Sequence, residues 1–287
     1  MKKILFLGGS GFLGRQLIRS LTSDVQPYAI ARSIEGEDRI KDVSPSIRIV
    51  SPGEAAKIRF DRIFNLVVDY GRGGAPIAQL IQPNLIYPLQ LLETIEADAV
   101  LNVSTALPQN YSNYALTKKL LEQSLDYLGA RRGRPFVNIH LHNMYGPGAE
   151  VSEFVGFVIL RMLAGEPVEV SHCRNSRDFI FVADAVSALS LLCASAENFA
   201  PGSPVEVGTG RSTCLRDLLF TIRELTGSSS EIRFGAKPGN GFEPDRLVAD
   251  TTALQRLGWT PRHSLRQGLQ TTIEALAASR PRVAQPI

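Results

Sequence analysis

The chain opens M-K-K-I-L-F-L-G-G-S-G-F-L-G, Met1 to Gly14, a strand, a glycine turn and a helix in outline. Ile4 to Leu7 is a short apolar run without alternation, the pattern of a parallel strand covered on both faces. A glycine turn follows at once, and Phe12 to Leu21 then carries helical spacing. Gly8, Gly11 and Gly14 therefore stand between a strand and a helix, where each has a physical use. Gly8 permits the tight turn, Gly11 lets the backbone approach a pyrophosphate, and Gly14 allows close packing of helix on sheet. With the anion at the helix N-terminus, the candidate dinucleotide contacts are Gly8, Ser10, Gly11, Phe12, Leu13 and Gly14.

Working outward, a second strand at Tyr28 to Ala31 completes a β-α-β unit of about 30 residues. Further apolar runs recur at Arg62 to Val68, Val100 to Val103 and Pro135 to Leu141, separated by helical stretches at Ala78 to Glu96 and Tyr114 to Leu128. Strands alternating with helices predict an α/β fold, a Rossmann-type doubly wound parallel sheet. After Gly146-Pro147-Gly148 the pattern becomes irregular. Phe179 to Val182 and Val205 to Val207 are candidates for strands that return to the main sheet. The expected division is a dinucleotide-binding domain, 1–146 plus about 183–208, and a smaller substrate lobe, about 147–182 plus 209–279. Residues 280–287, with two prolines and no periodicity, read as a loose tail.

The bulk numbers narrow the field. A hydrophobic share of 44 % and a charged share of 21 % are ordinary for a soluble globular chain, and +3 of dispersed net charge leaves no nucleic-acid footprint. Cys173, Cys193 and Cys214 are far apart and form no C-x-x-C pair, so neither a metal site nor a disulfide framework is expected. The four apolar residues before Gly8 are too few for a signal peptide, and no window reaches the ~20 that a membrane span needs. A cytoplasmic protein with no membrane partner is the expectation.

Arg32-Ser33 stands at the end of the second strand, where a dinucleotide site that prefers NAD usually carries Asp or Glu. A carboxylate would repel a 2′-phosphate, whereas guanidinium binds one through paired, charge-assisted hydrogen bonds. Arg32 and Ser33 therefore predict NADP(H), with NAD(H) the alternative if Glu35 or Asp38 folds back to the ribose.

In mid-chain, L-N-V-S-T (Leu101 to Thr105) is a strand ending in two hydroxyl residues, and Tyr114 opens the next helix. Tyr114 and Lys118, at i and i+4, share a helix face. An ammonium about 4 Å from a phenolate, at an effective dielectric near 20, is worth about 4 kcal/mol. That is enough to bring a tyrosine of about 10 toward 7, where it can give or take a proton. Thr105 can hold the substrate oxygen that changes charge.

In this order, G-G-S-G-F-L-G, S-T and Y-A-L-T-K resemble the extended short-chain dehydrogenase/reductase family. N-M-Y-G-P-G (Asn143 to Gly148), R-D-F-I-F-V-A-D-A (Arg177 to Ala185), V-G-T-G (Val207 to Gly210) and L-G-W-T-P (Leu257 to Pro261) agree with it, so the likeness runs from Met1 to about Ala277. The resemblance implies a catalytic pair at Tyr114 and Lys118, with Lys118 also orienting the nicotinamide ribose, and a hydroxyl role for Thr105, better matched than Ser104. It further implies substrate contacts at Ser104, Thr105, Asn143, Arg177 and Arg246, a nucleotide-sugar substrate, and homodimers built through two sheet-covering helices. His140 and His142, on a strand, read as structural.

The family hosts reduction, epimerisation and dehydration on one scaffold. Members that dehydrate at the 4,6-positions usually follow the hydroxyl residue with Asp-Glu, where this chain has Ala106-Leu107. Asn65 to Gly71 departs from the H-x-A-A of many relatives, but D-Y-G-R (Asp69 to Arg72) and P-N-L-I-Y-P-L-Q-L-L (Pro83 to Leu92) resemble the CDP-abequose synthase group of ketoreductases. With Arg32, this favours an NADPH-dependent reductase of a 4-keto-6-deoxy sugar. The alternatives are a 4-epimerase and a silent NADP(H)-binding regulator, although silent relatives typically lack the tyrosine or the lysine.

Overall fold

The computed structural model describes residues 1–149, 153–200 and 202–279; the expected tail at 280–287 lies outside them. The chain divides into two compact units, the first comprising 1–142, 186–207 and 250–259, the second 143–185, 208–249 and 260–287.

In the first unit, β1 (Lys2–Leu7), β2 (Val25–Ile30), β3 (Arg48–Ile49), β4 (Phe60–Asn65), β5 (Ala97–Thr105), β6 (Phe136–Leu141) and β7 (Val205–Val207) form one sheet in the order β7-β6-β5-β4-β1-β2-β3. Every pairing is parallel. The order reverses between β1 and β4, and in such sheets the crevice beyond the carboxyl ends at that point is where ligands bind. Ile4 to Leu7 are all buried, as an unalternating run covered on both faces requires. Phe6 and Phe64, opposite each other in register, stack at 5.4 Å, and Tyr28 meets Phe60 edge-on at 5.3 Å. Such aromatic pairs add about 0.5–1.5 kcal/mol beyond the area they bury.

A row of amides crosses the middle of this sheet. Asn65, Asn102 and Asn138 lie in register on β4, β5 and β6, all three buried. Asn65 Nδ2 donates to Asn102 Oδ1, and Asn102 Nδ2 to Asn138 Oδ1, both at 2.8 Å. Asn138 Nδ2 then donates to Asp126 Oδ1 at 2.8 Å, on the helix Asn113–Arg132. Because each donor has an acceptor, the row avoids the penalty of about 1–3 kcal/mol for a buried unpaired polar group.

The helical stretch expected at Ala78 to Glu96 runs as Ile77–Ile81, a π turn at Gln82–Ile86, and Tyr87–Thr94. Pro83 has no N–H for the regular ladder, and the wider turn absorbs the defect and leaves Asn84 buried.

In the second unit the strand Phe179–Phe181 pairs in parallel with Asn143–Tyr145, so it does not return to the main sheet. Of the two candidates for that role only Val205–Val207 joins it, beside β6. Asp178, fully buried, immediately precedes the strand Phe179–Phe181. Its carboxylate accepts from the N–H groups of Thr209, Gly210 and Ala249 at 2.8–3.2 Å and from the Thr209 hydroxyl, which ties the V-G-T-G loop down beside its strand. Asp250–Trp259, expected in the substrate lobe, belongs to the first unit. Asp250 N donates to Glu206 on β7, and the Trp259 indole donates to Ser187 at 2.8 Å.

Candidate active site

The glycine turn carries the first part of the site. Gly8 has φ +81, and a Cβ there would stand 2.8 Å from the Leu66 carbonyl carbon and 2.9 Å from Val67 N, so a side chain is excluded both by conformation and by space. Gly14 lies inside α1 (Phe12–Arg19), and its Cβ would meet Gly9 Cα and Gly9 O at 2.7 Å. Gly11 differs, since its Cβ would meet only Gly8 O, at 3.4 Å. Its bareness leaves room on the outer side of the turn. Gly11 also stands at the N-cap of α1, where no side-chain capping hydrogen bond is made, so the positive end of the helix keeps N–H groups for an anion. Phe12 and Leu13 form its first turn, half-buried.

Beside this turn is a recess lined by Leu7, Gly8, Ser10, Ile30, Arg32, Ser33, Gly36, Val67 and Tyr87. Ser33 caps α2 (Ile34–Lys41), accepting from Gly36 N at 3.1 Å, and Gly36 is bare against the hydroxyls of Ser33 and Ser10. Arg32 is exposed at the rim. Glu35, which would have to turn toward a ribose in an NAD-type site, pairs with Arg39 along α2. The bare turn, the helix start without a side-chain cap and a recess with one cation and three hydroxyl side chains fit the diphosphate and adenosine end of a dinucleotide.

The second part sits at the end of β5. Ser104 and Thr105 are its last residues, and Thr105 Oγ1 accepts from Leu107 N at 3.2 Å. Ser112 caps the helix Asn113–Arg132, accepting from Ala115 N, and Gly133 ends it in the left-handed region at φ 61. This fixes Tyr114 in the first turn and Lys118 one turn on. Lys118 is 1 % exposed and Nζ donates to the Val67 carbonyl at 3.2 Å, so its ammonium is held where β4 gives way to its loop. Burial pushes its pKa down to about 8, with the Glu122 carboxylate partly opposing the fall. At pH 7 the ammonium still outweighs the amine by about ten to one.

Below this pair, Lys119, Glu122 and His140 form a half-buried cluster. Lys119 Nζ lies 3.0 Å from Glu122 and 2.7 Å from His140 Nε2, which is itself 3.1 Å from Glu122. Burial opposes ionisation of Glu122, but the His140 ring and the Lys119 ammonium beside it outweigh that and hold the carboxyl below its ordinary range. His142 Nε2 is 3.4 Å from Glu206, so both histidines are engaged within the first unit.

The residues expected to hold substrate in the second lobe lie close together there, and two are engaged internally. The Asn143 amide donates to Asp178 O at 3.2 Å. Arg177 is 4 % exposed; it bonds the carbonyls of Ser176 and Pro244 and pairs with Glu243 at 2.6 Å. Arg246, on the strand Arg246–Leu247 beside Ser176–Arg177, is exposed. Of the two arginines, Arg246 presents its side chain to solvent, and Arg177 builds the loop around it. Among the described residues no group of three or more His, Cys, Asp or Glu could hold a metal ion, and no helix is long and apolar enough to cross a membrane.

The family model for the NAD dependent epimerase/dehydratase family matches residues 4–208. The chain belongs to that family. Epimerase/dehydratase relatives include CDP-abequose synthase of Salmonella muenchen, 30% identical with 94% of this chain and 96% of the relative covered. Another is dTDP-6-deoxy-L-talose 4-dehydrogenase (NAD(P)(+)) of Kitasatospora kifunensis, 26% identical with 93% of each covered. Among solved structures, UDP-glucose 4-epimerase of Thermotoga maritima superposes with a TM-score of 0.84 at 23% identity, over 96% of this chain and 99% of that one, which establishes the shared fold. The chain is thus an enzyme of the extended short-chain dehydrogenase/reductase type within the epimerase/dehydratase family.

Other parts of the site escape a reading by motif. Glu122 stands one turn beyond Lys118, a spacing visible in the sequence, but its partner His140 is on another element. Tyr87, in the recess wall, follows the π turn. Asn84, in that π turn, reaches the loop of Tyr70 through bonds to Asp69, fifteen positions earlier.

Proposed function

We propose that this chain is an NADPH-dependent reductase of a nucleotide-linked 4-keto-6-deoxy sugar, a step in making deoxysugars for surface polysaccharide. The observation that carries this reading is Lys118, buried yet predominantly charged at neutral pH and one turn from Tyr114 at the end of β5. The cofactor supplies the hydride. Tyr114 gives its phenolic proton to the oxygen that develops charge, Thr105 donates a hydrogen bond to the same oxygen, and Lys118 stabilises the phenolate left behind. Ala106-Leu107, in place of an acid and a base, supports reduction over 4,6-elimination, as does the likeness to CDP-abequose synthase along nearly the whole chain. In the second unit, Arg246 and Asn143 are assigned to the nucleotide sugar, with Arg177 shaping their loop.

Incubation with NADPH and a panel of CDP-, dTDP-, UDP- and GDP-linked 4-keto sugars should consume the reduced nicotinamide absorbance with at least one of them. No oxidation with any sugar, together with inversion of a plain nucleotide hexose, would replace this reading by 4-epimerisation. A putative UDP-glucose 4-epimerase of Methanocaldococcus jannaschii, 23% identical over 94% of this chain, makes that the second reading.

Arg32 and Ser33 support NADPH over NADH. A hydrogen bond to a charged group contributes about 1.5–3 kcal/mol, so Arg32→Ala should weaken NADPH by about 10- to 150-fold and leave NADH nearly unchanged. Titration of both cofactors into both proteins measures this, and equal losses for NADPH and NADH would reject the assignment.

A further inference from the structure

Tyr70 is a large aromatic residue, 47 % exposed, in the D-Y-G-R loop after β4, and its ring lies against that of Tyr114 with centroids 5.2 Å apart and planes tilted by 46°. The guanidinium of Arg72 stands 5.4 Å from the Tyr70 ring centre. The loop that carries them is tightly restrained. Asp69 N donates to Asn84 Oδ1 at 2.7 Å, Asn84 Nδ2 donates back to Asp69 O at 2.8 Å, and Gly71 N donates to Asp69 Oδ1 at 2.9 Å. Gly71 has φ +62, and a Cβ there would stand 2.6 Å from Leu80 Cδ1.

Asn84 does more than hold the loop. Its Nδ2 also donates to Thr117 Oγ1 at 3.1 Å, and the Thr117 hydroxyl donates to the carbonyl of Tyr114 at 2.9 Å. One buried amide in the π turn therefore ties together the loop bearing Tyr70 and the helical turn bearing Tyr114. Both ends of the ring contact are fixed to the same atom group.

We propose that Tyr70 is a positioning residue for Tyr114, its ring clamped by the Asp69–Asn84–Thr117 bonds so that the phenol is presented at one angle. The inference rests on Tyr114 being the proton donor. A phenol hangs on two torsions, and the backbone of the first helical turn limits the first of them far more than the second. Tyr70 supplies a wall against the second. Misplacement of a reacting group by about 1 Å costs on the order of a hundredfold in rate, which sets the scale of the effect.

The test uses the full chain and the variants Tyr70→Ala and Tyr70→Phe. The phenylalanine ring keeps the wall without the hydroxyl, and alanine removes it. With NADPH and the keto sugar that is turned over, Tyr70→Ala should lower kcat by about 10- to 100-fold with cofactor affinity within about twofold, and Tyr70→Phe should restore it. Tyrosines labelled at the ring carbon bearing oxygen give a second readout that needs no turnover. The Tyr114 resonance, identified by its loss in Tyr114→Phe, should move or broaden in Tyr70→Ala and keep its place in Tyr70→Phe. If no sugar is turned over by the parent protein, the reductase reading fails while the resonance still decides the clamp. An unchanged resonance in Tyr70→Ala overturns the proposal, as does a rise in sugar KM with kcat intact, which would make Tyr70 a substrate platform.

Discussion

Lys118→Met should give a protein that melts higher than the parent and turns over far more slowly. Holding the ammonium in the interior lowers its pKa from the ordinary 10.5 to about 8. At about 1.4 kcal/mol for each tenfold change in proton affinity, the folded state at pH 7 is penalised by about 3 kcal/mol. Methionine fills a similar volume without the charge. The Val67 carbonyl loses its 3.2 Å donor, which returns about 1 kcal/mol. The net gain of about 2 kcal/mol should raise Tm by a few degrees in a chain of this size. Turnover should fall by about 10²- to 10⁴-fold, the usual contribution of a tuned proton donor.

The pH dependence fixes the sign. Below about 8 the lysine is charged both folded and unfolded, so the penalty is present in full; above 10.5 it is neutral in both and the penalty is gone. Parent stability attributable to this group therefore rises between those limits, where the unfolded chain binds more protons. The advantage of Lys118→Met should vanish over the same window in denaturation series at successive pH values. Turnover of the cofactor-dependent reaction should decline as pH rises through about 8. A variant less stable than the parent at pH 7 would mean that the ammonium contributes more than its burial costs.

The glycine turn should separate folding from binding in two neighbouring substitutions. Gly14→Ala drives a methyl group to 2.7 Å from two backbone atoms of Gly9, neither of which can rotate away. The helix must lift off the turn, at a cost of about 1–3 kcal/mol or more, with loss of soluble protein or of several degrees in Tm. Gly11→Ala meets a single atom at 3.4 Å, so the fold should hold. The new methyl group stands where a diphosphate would approach, and dinucleotide affinity should fall at least tenfold, about 1.4 kcal/mol. Calorimetric melting and dinucleotide titration of the pair check both statements. Unchanged affinity in a folded Gly11→Ala protein would move the diphosphate elsewhere.

These two regions are also where the chain was most legible before its structure. The strand, turn and helix from Lys2 to Arg19 and the Tyr114–Lys118 pair are local patterns, written within one or two helical turns. What could not be read depends on partners far apart in sequence. Nothing near Phe179 reveals that its strand pairs with Asn143–Tyr145, because a three-residue apolar run fits either sheet. Asp250–Trp259 joins the first unit through Glu206 and Ser187, more than forty positions away. The π turn was foreshadowed by Pro83, but a proline inside helical spacing signals a defect without saying which way the chain absorbs it. Lys118 shows the same limit within the site. Its spacing from Tyr114 was plain, whereas its depth, and hence the pH range in which it keeps its charge, belongs to the packing of the helix on β5 and to the loop after β4.

The amide row across β4, β5 and β6 has a consequence for how this sequence can change. Sliding any one of the three strands by a residue would turn its asparagine to the opposite face and leave at least one neighbour in the row without its bond. Exchange of Asn102 alone for leucine would orphan the Asn65 donor and the Asn138 acceptor together. Drift at these positions should therefore proceed in concert, with the three amides retained or surrendered as a block, and a redesign that makes the row apolar would leave Asp126 with the Gly202 N–H at 3.1 Å in place of two donors.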